Sequence, residues 1–248
     1  RAFLVRRRIR SMAPRRSVDG QAGQGQAASQ AVSPASRTLR PKWYRERQRH
    51  VTPAQKRVEK NLWPHYGLRW RYGEVLDLAA AFDDPTLPLV LEVGCGSGEA
   101  ITELAKKQEA NFVGCDWYRA GVAMTLQRVD DAGLSRNVRL VKGDALALIV
   151  ALPQKQLFDE VLVFFPDPWY DIPEKRILST EFRLALEPRM KIGGVLRLAT
   201  DVATYPDHAR EVFSSWVEEQ ENFRRPSTQY AREADEEGRP IVDLTFKF

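Results

Sequence analysis

Runs of strand type and runs of helix type alternate along this chain from residue 87 to about residue 220. The strand-type runs are short, apolar and rich in β-branched residues, which is typical of strands buried on both faces of a sheet. This alternation with short links predicts an α/β fold, a mostly parallel sheet with helices on both faces. The predicted strands are residues 87–93, 111–115, 138–141, 160–165 and 195–199, with 223 and 241–248 as closing strands, and the predicted helices are 99–108, 120–132, 145–152, 177–186 and 206–220. Ahead of them, an N-cap at Thr52 with a proline after it predicts a helix that ends near Leu62, before Pro64, and a further helix is predicted over residues 72–82.

A glycine-rich loop follows the first of these strands and opens the next helix. Gly94, Gly96 and Gly98 can adopt positive φ and allow the backbone to approach a ligand closely. The third glycine comes one residue too early for the usual dinucleotide fingerprint, so a nicotinamide cofactor is the less favoured alternative. A third possibility is that the strand-end loops carry ordinary acids without a ligand.

Acidic residues lie beside this loop and at the ends of the next two strands. Glu92 precedes the glycines, Asp116 ends the second strand and Asp144 follows the third. Together with the loop, this spacing resembles class I methyltransferases, which have a Rossmann-like fold and use S-adenosylmethionine. The resemblance implies that Asp116 binds the ribose and that Asp144 lies beside the adenine. The implied cofactor-binding residues are Glu92, Gly94, Gly96, Gly98, Asp116 and Asp144.

The fourth predicted strand ends in the sequence Phe-Phe-Pro-Asp-Pro-Trp at residues 164–169. Proline fixes φ and removes a backbone donor, so the strand cannot continue past the first proline. The result is a stiff turn that presents Asp167 and Trp169 at the carboxyl end of a strand, where open α/β sheets bind ligands. A carboxylate beside an aromatic ring suits a flat, hydrogen-bonding substrate such as a purine base.

Several segments resemble one family, the tRNA (guanine-N7)-methyltransferases, over residues 49–248. The most specific motif is the turn at residues 164–169. Residues 49–55 resemble the family's N-terminal Arg-x-(Met/Val)-Thr-x-x-Gln segment, and Trp-Pro follows at 63–64. Residues 193–195 and 199–201 are similar to the family's fifth strand, residues 225–230 to its Arg-Pro-x-Thr motif, and residues 243–246 to its closing strand.

The resemblance implies S-adenosylmethionine-dependent methyl transfer to guanine N7 in RNA, with tRNA as the expected substrate. N7 carries a lone pair and no proton, so the reaction mainly needs positioning. Because the base becomes cationic, a nearby carboxylate would stabilise it. We expect Asp167 to be the first catalytic residue, with Asp201 and Thr228 in support, and Trp169 to stack on the base. The expected substrate-binding residues are Trp169, Lys175, Arg176, Arg225 and Tyr230.

The chain departs from the family's pattern on the substrate side. The family has a basic run after the proline turn, whereas residues 170–176 keep only Lys175 and Arg176 as cations. The family's C-terminal motif continues to a glutamate and a basic residue, but those positions here hold Ala231 and Glu233. Losing phosphate contacts would weaken RNA binding and flatten its salt dependence.

Charge is distributed unevenly along the chain. Residues 1–42, a basic low-complexity arm, carry a net +9, and residues 43–73 carry +6. The whole chain is +5, so residues 74–248 carry −10. A basic arm on an acidic body predicts binding to RNA phosphates. The domain boundaries expected are 1–42 for the arm, 43–83 for a basic helical lead-in and 84–248 for the methyltransferase domain.

The first sixteen residues are rich in arginine and contain no acid, which is typical of a mitochondrial transit segment. Localisation in an organelle is therefore expected, with the cytoplasm as the alternative. No apolar run is long enough to span a membrane. Cys95 and Cys115 lack the CxxC spacing of a zinc site, and the three histidines are scattered, so no metal is expected.

Two other functions are compatible with this sequence. The eroded substrate motifs favour a retired methyltransferase that serves as an RNA-binding or assembly component of an organellar ribonucleoprotein, such as a ribosome precursor. An amino-group methyltransferase of the Asn/Asp-Pro-Pro-Tyr kind is less favoured, because the turn at Asp167 lacks a second consecutive proline.

Overall fold

Seven strands form one sheet in the computed structural model, which describes residues 51–70, 74–220 and 223–248. The strand order is β3-β2-β1-β4-β5-β7-β6. Strands β1 to β5 pair in parallel, whereas β7 is antiparallel to both β5 and β6. The prediction of a mostly parallel α/β sheet is confirmed, and the order reverses between β1 and β4, where ligands bind in open sheets of this kind.

The element bounds follow the sequence pattern closely in the central region. The strands are β1 Leu89–Val93, β2 Asn111–Asp116, β3 Val138–Lys142, β4 Phe158–Phe164, β5 Met190–Thr200, β6 Val217–Glu219 and β7 Val242–Lys247. The helices are α1 Pro53–Tyr66, α2 Glu99–Lys107, α3 Arg119–Asp131, α4 Ala145–Ala151, α5 Thr180–Leu186, α6 Tyr205–Val212 and α7 Gln229–Glu236.

Two apolar clusters, one on each face of the sheet, form the core. One cluster contains side chains of α2 and α3, such as Ile101 and Leu126, with Phe112 of β2. The other contains side chains of α4, α5 and α6, such as Leu148 and Phe182. All these side chains are almost completely buried. Helices therefore cover both faces, as the apolar character of the strands predicts.

Helix α1 continues further than the sequence predicts. The expected end was near Leu62, before Pro64, but the helix runs through Pro64 to Tyr66. Tyr66 is buried and its hydroxyl donates to Asp130 Oδ1 at 2.9 Å, while Glu59 pairs with Arg119 at 3.0 Å. These contacts with α3 hold the last turn despite the hydrogen bond that proline cannot make. The described part of the basic lead-in thus packs on the methyltransferase domain.

The helix predicted over residues 72–82 is wrong for its described part. Residues 71–73 lie outside the described ranges, residues 74–78 are not helical, and only one 3₁₀ turn forms at Ala79–Ala81. The backbone N–H of Leu76 donates to the carbonyl of Ala151, and Leu76, Leu78 and Phe82 are buried in the core. Burying these apolar side chains outweighs the helix propensity of the alanines.

The helix predicted over 206–220 is also wrong in its second half. Helix α6 ends at Val212, and Val217–Glu219 form β6 at the sheet edge. Trp216 is buried between Phe213 and Phe248, with ring centroids 5.1 Å from each, and this contact ends the helix. Phe223, predicted in a closing strand, lies outside the strands and its ring lies 6.3 Å from that of Phe164.

The arm at residues 1–42 and the first residues of the lead-in, 43–50, lie outside the described residues. Within the described ranges, no helix is long and apolar enough to cross a membrane. The same ranges contain no group of three or more His, Cys, Asp or Glu side chains placed to hold a metal ion.

Candidate active site

The glycine loop between β1 and α2 has the backbone conformation that its sequence predicts. Gly94 and Gly98 have φ of 76° and 77°. A Cβ atom on Gly98 would lie 2.6 Å from Thr125 Cγ2, so this position requires glycine for packing against α3. A Cβ atom on Gly94 would meet no atom of the described structure within 4 Å, so space lies above the loop there. The loop is thus closely packed underneath and open where a ligand would approach.

Asp116, at the end of β2, fixes this loop. Its Oδ2 accepts a hydrogen bond from the Gly96 N–H at 2.7 Å and its Oδ1 accepts one from the Tyr118 N–H at 2.6 Å. Burial raises the pKa of Asp116 above its usual value, although these backbone donors act against the shift. The side chain predicted to bind a ribose therefore lies against the glycine loop and organises it.

Glu92, one residue before the end of β1, is buried and lacks a full set of partners. Its side chain is 3% exposed, and its Oε2 has no hydrogen-bond partner among the described residues. Burial and the charge of Asp116 raise the pKa of Glu92 to about 8. A buried, incompletely bonded carboxylate is costly. A cationic or hydrogen-bond-donating ligand above the loop would satisfy it.

Asp144 caps helix α4, because its Oδ1 accepts a hydrogen bond from the Ala147 N–H at 2.7 Å. The preceding residue, Gly143, donates its N–H to the carbonyl oxygen of Asp116 at 3.0 Å. The structure therefore brings together the ends of β1, β2 and β3, with the acids that the sequence placed there. An S-adenosylmethionine molecule carries a sulfonium and an ammonium group. These charges match the buried carboxylate of Glu92, the carboxylate of Asp116 and the open loop.

The turn after β4 has a strained backbone on both sides of its acid. Phe165 and Trp169 have φ of 51° and 41°, which side-chain-bearing residues seldom adopt. The Phe165 N–H still donates to the carbonyl of Ala199 in β5 at 2.8 Å, so the turn begins directly at the sheet. Asp167 is exposed at its tip, and its charge contributes to the raised pKa of Asp116, after burial. Such strain is concentrated at functional sites.

Arg176 does not lie where a substrate-binding cation would. It is 4% exposed, and its Nε donates to the carbonyl of Pro168 at 3.0 Å. Its other nitrogens donate to the carbonyl and the hydroxyl of Thr204 at 3.1 and 2.7 Å, and its guanidinium lies 4.7 Å from the Tyr205 ring centroid. The expectation of a phosphate contact is replaced by a structural role, because Arg176 joins the proline turn to the loop after β5.

Lys175 and Trp169 lie beside the turn. The Lys175 Nζ is 5.1 Å from the centroid of the Trp169 ring, within the range of a cation–π interaction. Trp169 is half-buried and Lys175 is partly exposed. Both remain at the surface next to Asp167, the position predicted for contacts with a substrate.

Asp201, just after β5, forms an ion pair with Arg239. The Asp201 side chain is 15% exposed, and Arg239, which follows α7, also pairs with Glu237 at 2.8 Å. Nothing in the spacing of Arg239 along the sequence marks it as the partner of an acid 38 residues away. The pair joins the segment after α7 to the end of β5.

The C-terminal motif packs onto Phe165. Arg225 forms an ion pair with Asp243 at 2.8 Å, and its guanidinium lies 5.2 Å from the Phe165 ring centroid. Tyr230 stacks on the same ring with centroids 6.2 Å apart and is 59% exposed. Thr228 caps α7 through a hydrogen bond from the Ala231 N–H at 3.3 Å. The charge of Arg225 is therefore neutralised by Asp243, whereas Tyr230 remains accessible to a substrate.

Comparison with known proteins decides the family. A family model described as "Putative methyltransferase" matches residues 86–244. The tRNA (guanine-N(7)-)-methyltransferase of Nitrosococcus oceani is 36% identical over 214 residues, which cover 81% of this chain and 88% of the relative. The protein of the same name from Neisseria meningitidis serogroup B is 32% identical over 212 residues, with the same coverage of both chains. The chain belongs to the tRNA (guanine-N7)-methyltransferase family.

As a member of this family, the protein is a methyltransferase with S-adenosylmethionine as its cofactor. The fold agrees with this assignment. The crystal structure of the 16S rRNA methyltransferase KamB superposes with a TM-score of 0.51 at 16% identity, covering 74% of this chain and 97% of that one. The family resemblance seen in the motifs and the Rossmann-like fold class are both confirmed.

Proposed function

We propose that this protein transfers a methyl group from S-adenosylmethionine to N7 of a guanine in tRNA. The observation that carries the proposal is the position of Asp167, on a strained turn at the end of β4. Strand β4 lies beside β1, whose end carries the glycine loop. The proline turn and the glycine loop therefore lie side by side at the switch point of the sheet, which supports a base-binding site next to the cofactor.

Methyl transfer to guanine N7 requires that the base be positioned, and it does not require that a proton be removed from N7. The cofactor supplies an electrophilic methyl group on a sulfonium. Guanine N7 already has a lone pair, so the residues of this chain must align the base and exclude competing orientations. Asp167 can accept hydrogen bonds from the N1–H and N2–H₂ edge of guanine and stabilise the positive charge that develops on the ring. The exposed ring of Tyr230 and the half-buried ring of Trp169 can stack on the base or on its neighbours.

Asp201 and Thr228 support this site in different ways. The ion pair of Asp201 with Arg239 fixes the loop after β5, which Arg176 in turn joins to the proline turn through Thr204. Thr228 caps the first turn of α7. Tyr230, in that helical turn, stacks on Phe165, which lies at the start of the proline turn. Both residues then act by shaping the base pocket.

The RNA partner is bound, in this proposal, by the basic N-terminal region together with Lys175 beside the turn. The arm at residues 1–42 carries a net +9 and can neutralise phosphates that the acidic body cannot. The arginine-rich beginning of the arm also supports localisation in a mitochondrion or a related organelle, with the cytoplasm as the alternative.

A retired methyltransferase within an organellar ribonucleoprotein is the less favoured function. The relatives share 32–36% identity over 81% of this chain and are named as tRNA methyltransferases. The glycine loop, the acids at the strand ends and the proline turn meet at one edge of the sheet, which supports an active enzyme. The shortened basic run, Ala231 and Glu233 argue in the other direction.

The experiment is methyl transfer from labelled S-adenosylmethionine to total tRNA, with N7-methylguanine located by chemical cleavage of the product. We expect label at a single guanine position. Label confined to amino groups, or cofactor binding without transfer to any tRNA, would contradict the proposal. The second of these results would favour the ribonucleoprotein component.

A further inference from the structure

Helix α7 begins without an acidic residue of its own. Its first turn contains no Asp or Glu, and Ala231 occupies the third helical position. A capping box, such as Thr52 forms with Gln55 at α1, therefore cannot form here. Thr228 accepts only from the Ala231 N–H within the motif, and the positive end of the helix dipole remains to be neutralised from elsewhere.

Glu99 provides the missing carboxylate from another helix. It is the first residue of α2, directly after Gly98 of the glycine loop. Its Oε2 accepts a hydrogen bond from the Gln229 backbone N–H, and its Oε1 lies 2.9 Å from Arg232 Nη2. Burial raises the pKa of Glu99, but hydrogen bonds from Arg232 and Gln229 outweigh this effect and lower the pKa below its usual value. The carboxylate is therefore held ionised at the start of α7.

The same carboxylate is connected to the cofactor loop through α3. Arg128 lies 3.9 Å from Glu99 Oε1, and its Nε donates to the carbonyl of Ser97 at 3.0 Å. Ser97 lies between Gly96 and Gly98. Polar contacts thus connect Ser97 in the glycine loop, through Arg128 and Glu99, to the first turn of α7. Glu99 and Gln229 in this connection lie 130 residues apart in the sequence.

We infer that Glu99 is a positioning residue that docks the substrate-side segment 225–232 onto the cofactor loop. This segment carries Thr228 and Tyr230, and Tyr230 stacks on Phe165 at the base of the proline turn. With Glu99 in place, the segment is held from both sides, by the base-binding turn and by the cofactor loop. Without it, the first turn of α7 loses its contact with the cofactor side. The inference rests on the proposed function, since it assigns Glu99 to the RNA side of that reaction.

Two variants separate the two contacts that Glu99 makes with α7. Glu99→Gln can still accept from the Gln229 N–H but loses the charge opposite Arg232, whereas Glu99→Ala loses both of these contacts. We expect Glu99→Ala to lower kcat/KM for tRNA about ten-fold, mainly through KM, because a charge-assisted hydrogen bond at a helix end is lost. Glu99→Gln should fall between this variant and the wild type. The dissociation constant of S-adenosylmethionine should remain close to that of the wild type in both.

Glu103→Ala is the matched control, since Glu103 lies one turn further along α2 and pairs with Lys107. It should leave the kinetics with tRNA unchanged. Arg232→Ala should lower kcat/KM for tRNA much less in the Glu99→Ala background than in the wild type, because Glu99 and Arg232 act as one unit. Wild-type KM for tRNA in Glu99→Ala, or an equal loss of cofactor affinity, would overturn the inference.

Hydrogen exchange keeps the inference testable if the proposed function fails. The amides of residues 229–232 should exchange faster in Glu99→Ala than in wild type or Glu103→Ala, in the full-length protein without RNA. A wild-type protein that methylates no RNA would contradict the proposed function while leaving this measurement intact. Unchanged exchange at residues 229–232 would overturn the docking role of Glu99 itself.

Discussion

Asp167 is presented by a backbone that is unfavourable on both sides of it. Phe165 and Trp169 adopt positive φ, which costs of order 1–3 kcal/mol each in general. The strain persists because the Phe165 N–H is bonded to β5 and the Pro168 carbonyl accepts from Arg176. The carboxylate is therefore placed by the fold before any substrate arrives, which is the condition for electrostatic stabilisation of a developing charge.

Asp167→Asn should lower kcat by about 10²–10³-fold, because the amide keeps the shape but removes the charge that stabilises the methylated base in the proposed function. Cofactor affinity, measured by calorimetry, should change little, since the cofactor loop is organised by Asp116. Asp171→Asn is the control, as Asp171 is an exposed acid of the same loop. An equal loss of cofactor binding and methyl transfer would show that Asp167 belongs to the cofactor site instead.

Glu92 gives the cofactor-free protein a pH-dependent stability. Burial raises its pKa from 4.5 to about 8, so the folded protein holds a proton that the unfolded chain releases in this range. Its contribution to stability is therefore complete below pH 4.5 and is lost as the pH rises through about 8. Over that window, the loss is on the order of a few kcal/mol.

Glu92→Gln should remove this loss, so its free energy of unfolding in urea should fall less than that of the wild type between pH 5 and pH 8. Glu103→Gln is a suitable control, because the Glu103 side chain is 40% exposed. Parallel pH profiles for Glu92→Gln and the wild type would contradict the burial argument.

At the scale of elements, Arg176 makes the proline turn and the loop after β5 one unit. From the sequence, Arg176 is expected to contact RNA, because a cation in the family's basic run is expected at the surface. Its burial arises from three hydrogen bonds and from stacking on Tyr205, and these contacts depend on the tertiary arrangement. Spacing in the sequence carries no signal for them.

Arg176→Ala should destabilise the protein by about 2–4 kcal/mol, because the carbonyl of Pro168 and Thr204 would lose a buried charged donor. Arg176→Lys should retain only part of the lost stability, since a lysine cannot donate hydrogen bonds in the same planar arrangement. The midpoint temperature of thermal unfolding and kcat should both be lower in these two variants. Lys155→Ala, at an exposed site, should match the wild type in both quantities. Wild-type stability in Arg176→Ala would refute the structural role.

The central βα units could be predicted from the sequence because apolar runs, glycine and proline act locally. The predicted and observed bounds of β2, for example, differ by one residue. The errors occurred where long-range packing decides. Contacts of Tyr66 with α3 carry α1 past Pro64, and Trp216 ends α6 early so that Val217–Glu219 can join the sheet edge. The ion pair of Asp201 with Arg239 and the contacts of Glu99 with α7 also join residues far apart in the sequence, so the sequence pattern does not predict them either.

At the scale of the whole molecule, charge is divided between an arm and a body of opposite sign. The arm at residues 1–42 carries +9 and the residues from 74 onward carry −10. Because counterion release dominates the affinity for nucleic acids, the arm should account for most of the electrostatic attraction to tRNA.

Deletion of residues 1–42 should weaken tRNA binding strongly at low salt and reduce the slope of log K against log salt concentration. Filter binding over a range of salt concentrations measures both quantities, and unchanged cofactor affinity verifies that the domain is intact. Equal affinity of the truncated and full-length proteins would mean that the arm serves as a targeting segment or contacts a protein.

The most direct test of the account is methyl transfer to two tRNA transcripts that differ only at the modified position. One carries guanosine there and the other carries 7-deazaguanosine, in which a C–H group replaces N7. We expect transfer of one methyl group to the first transcript and none to the second. Equal transfer to both transcripts would show that the proline turn at Asp167 presents a different atom, or a different base, to the cofactor.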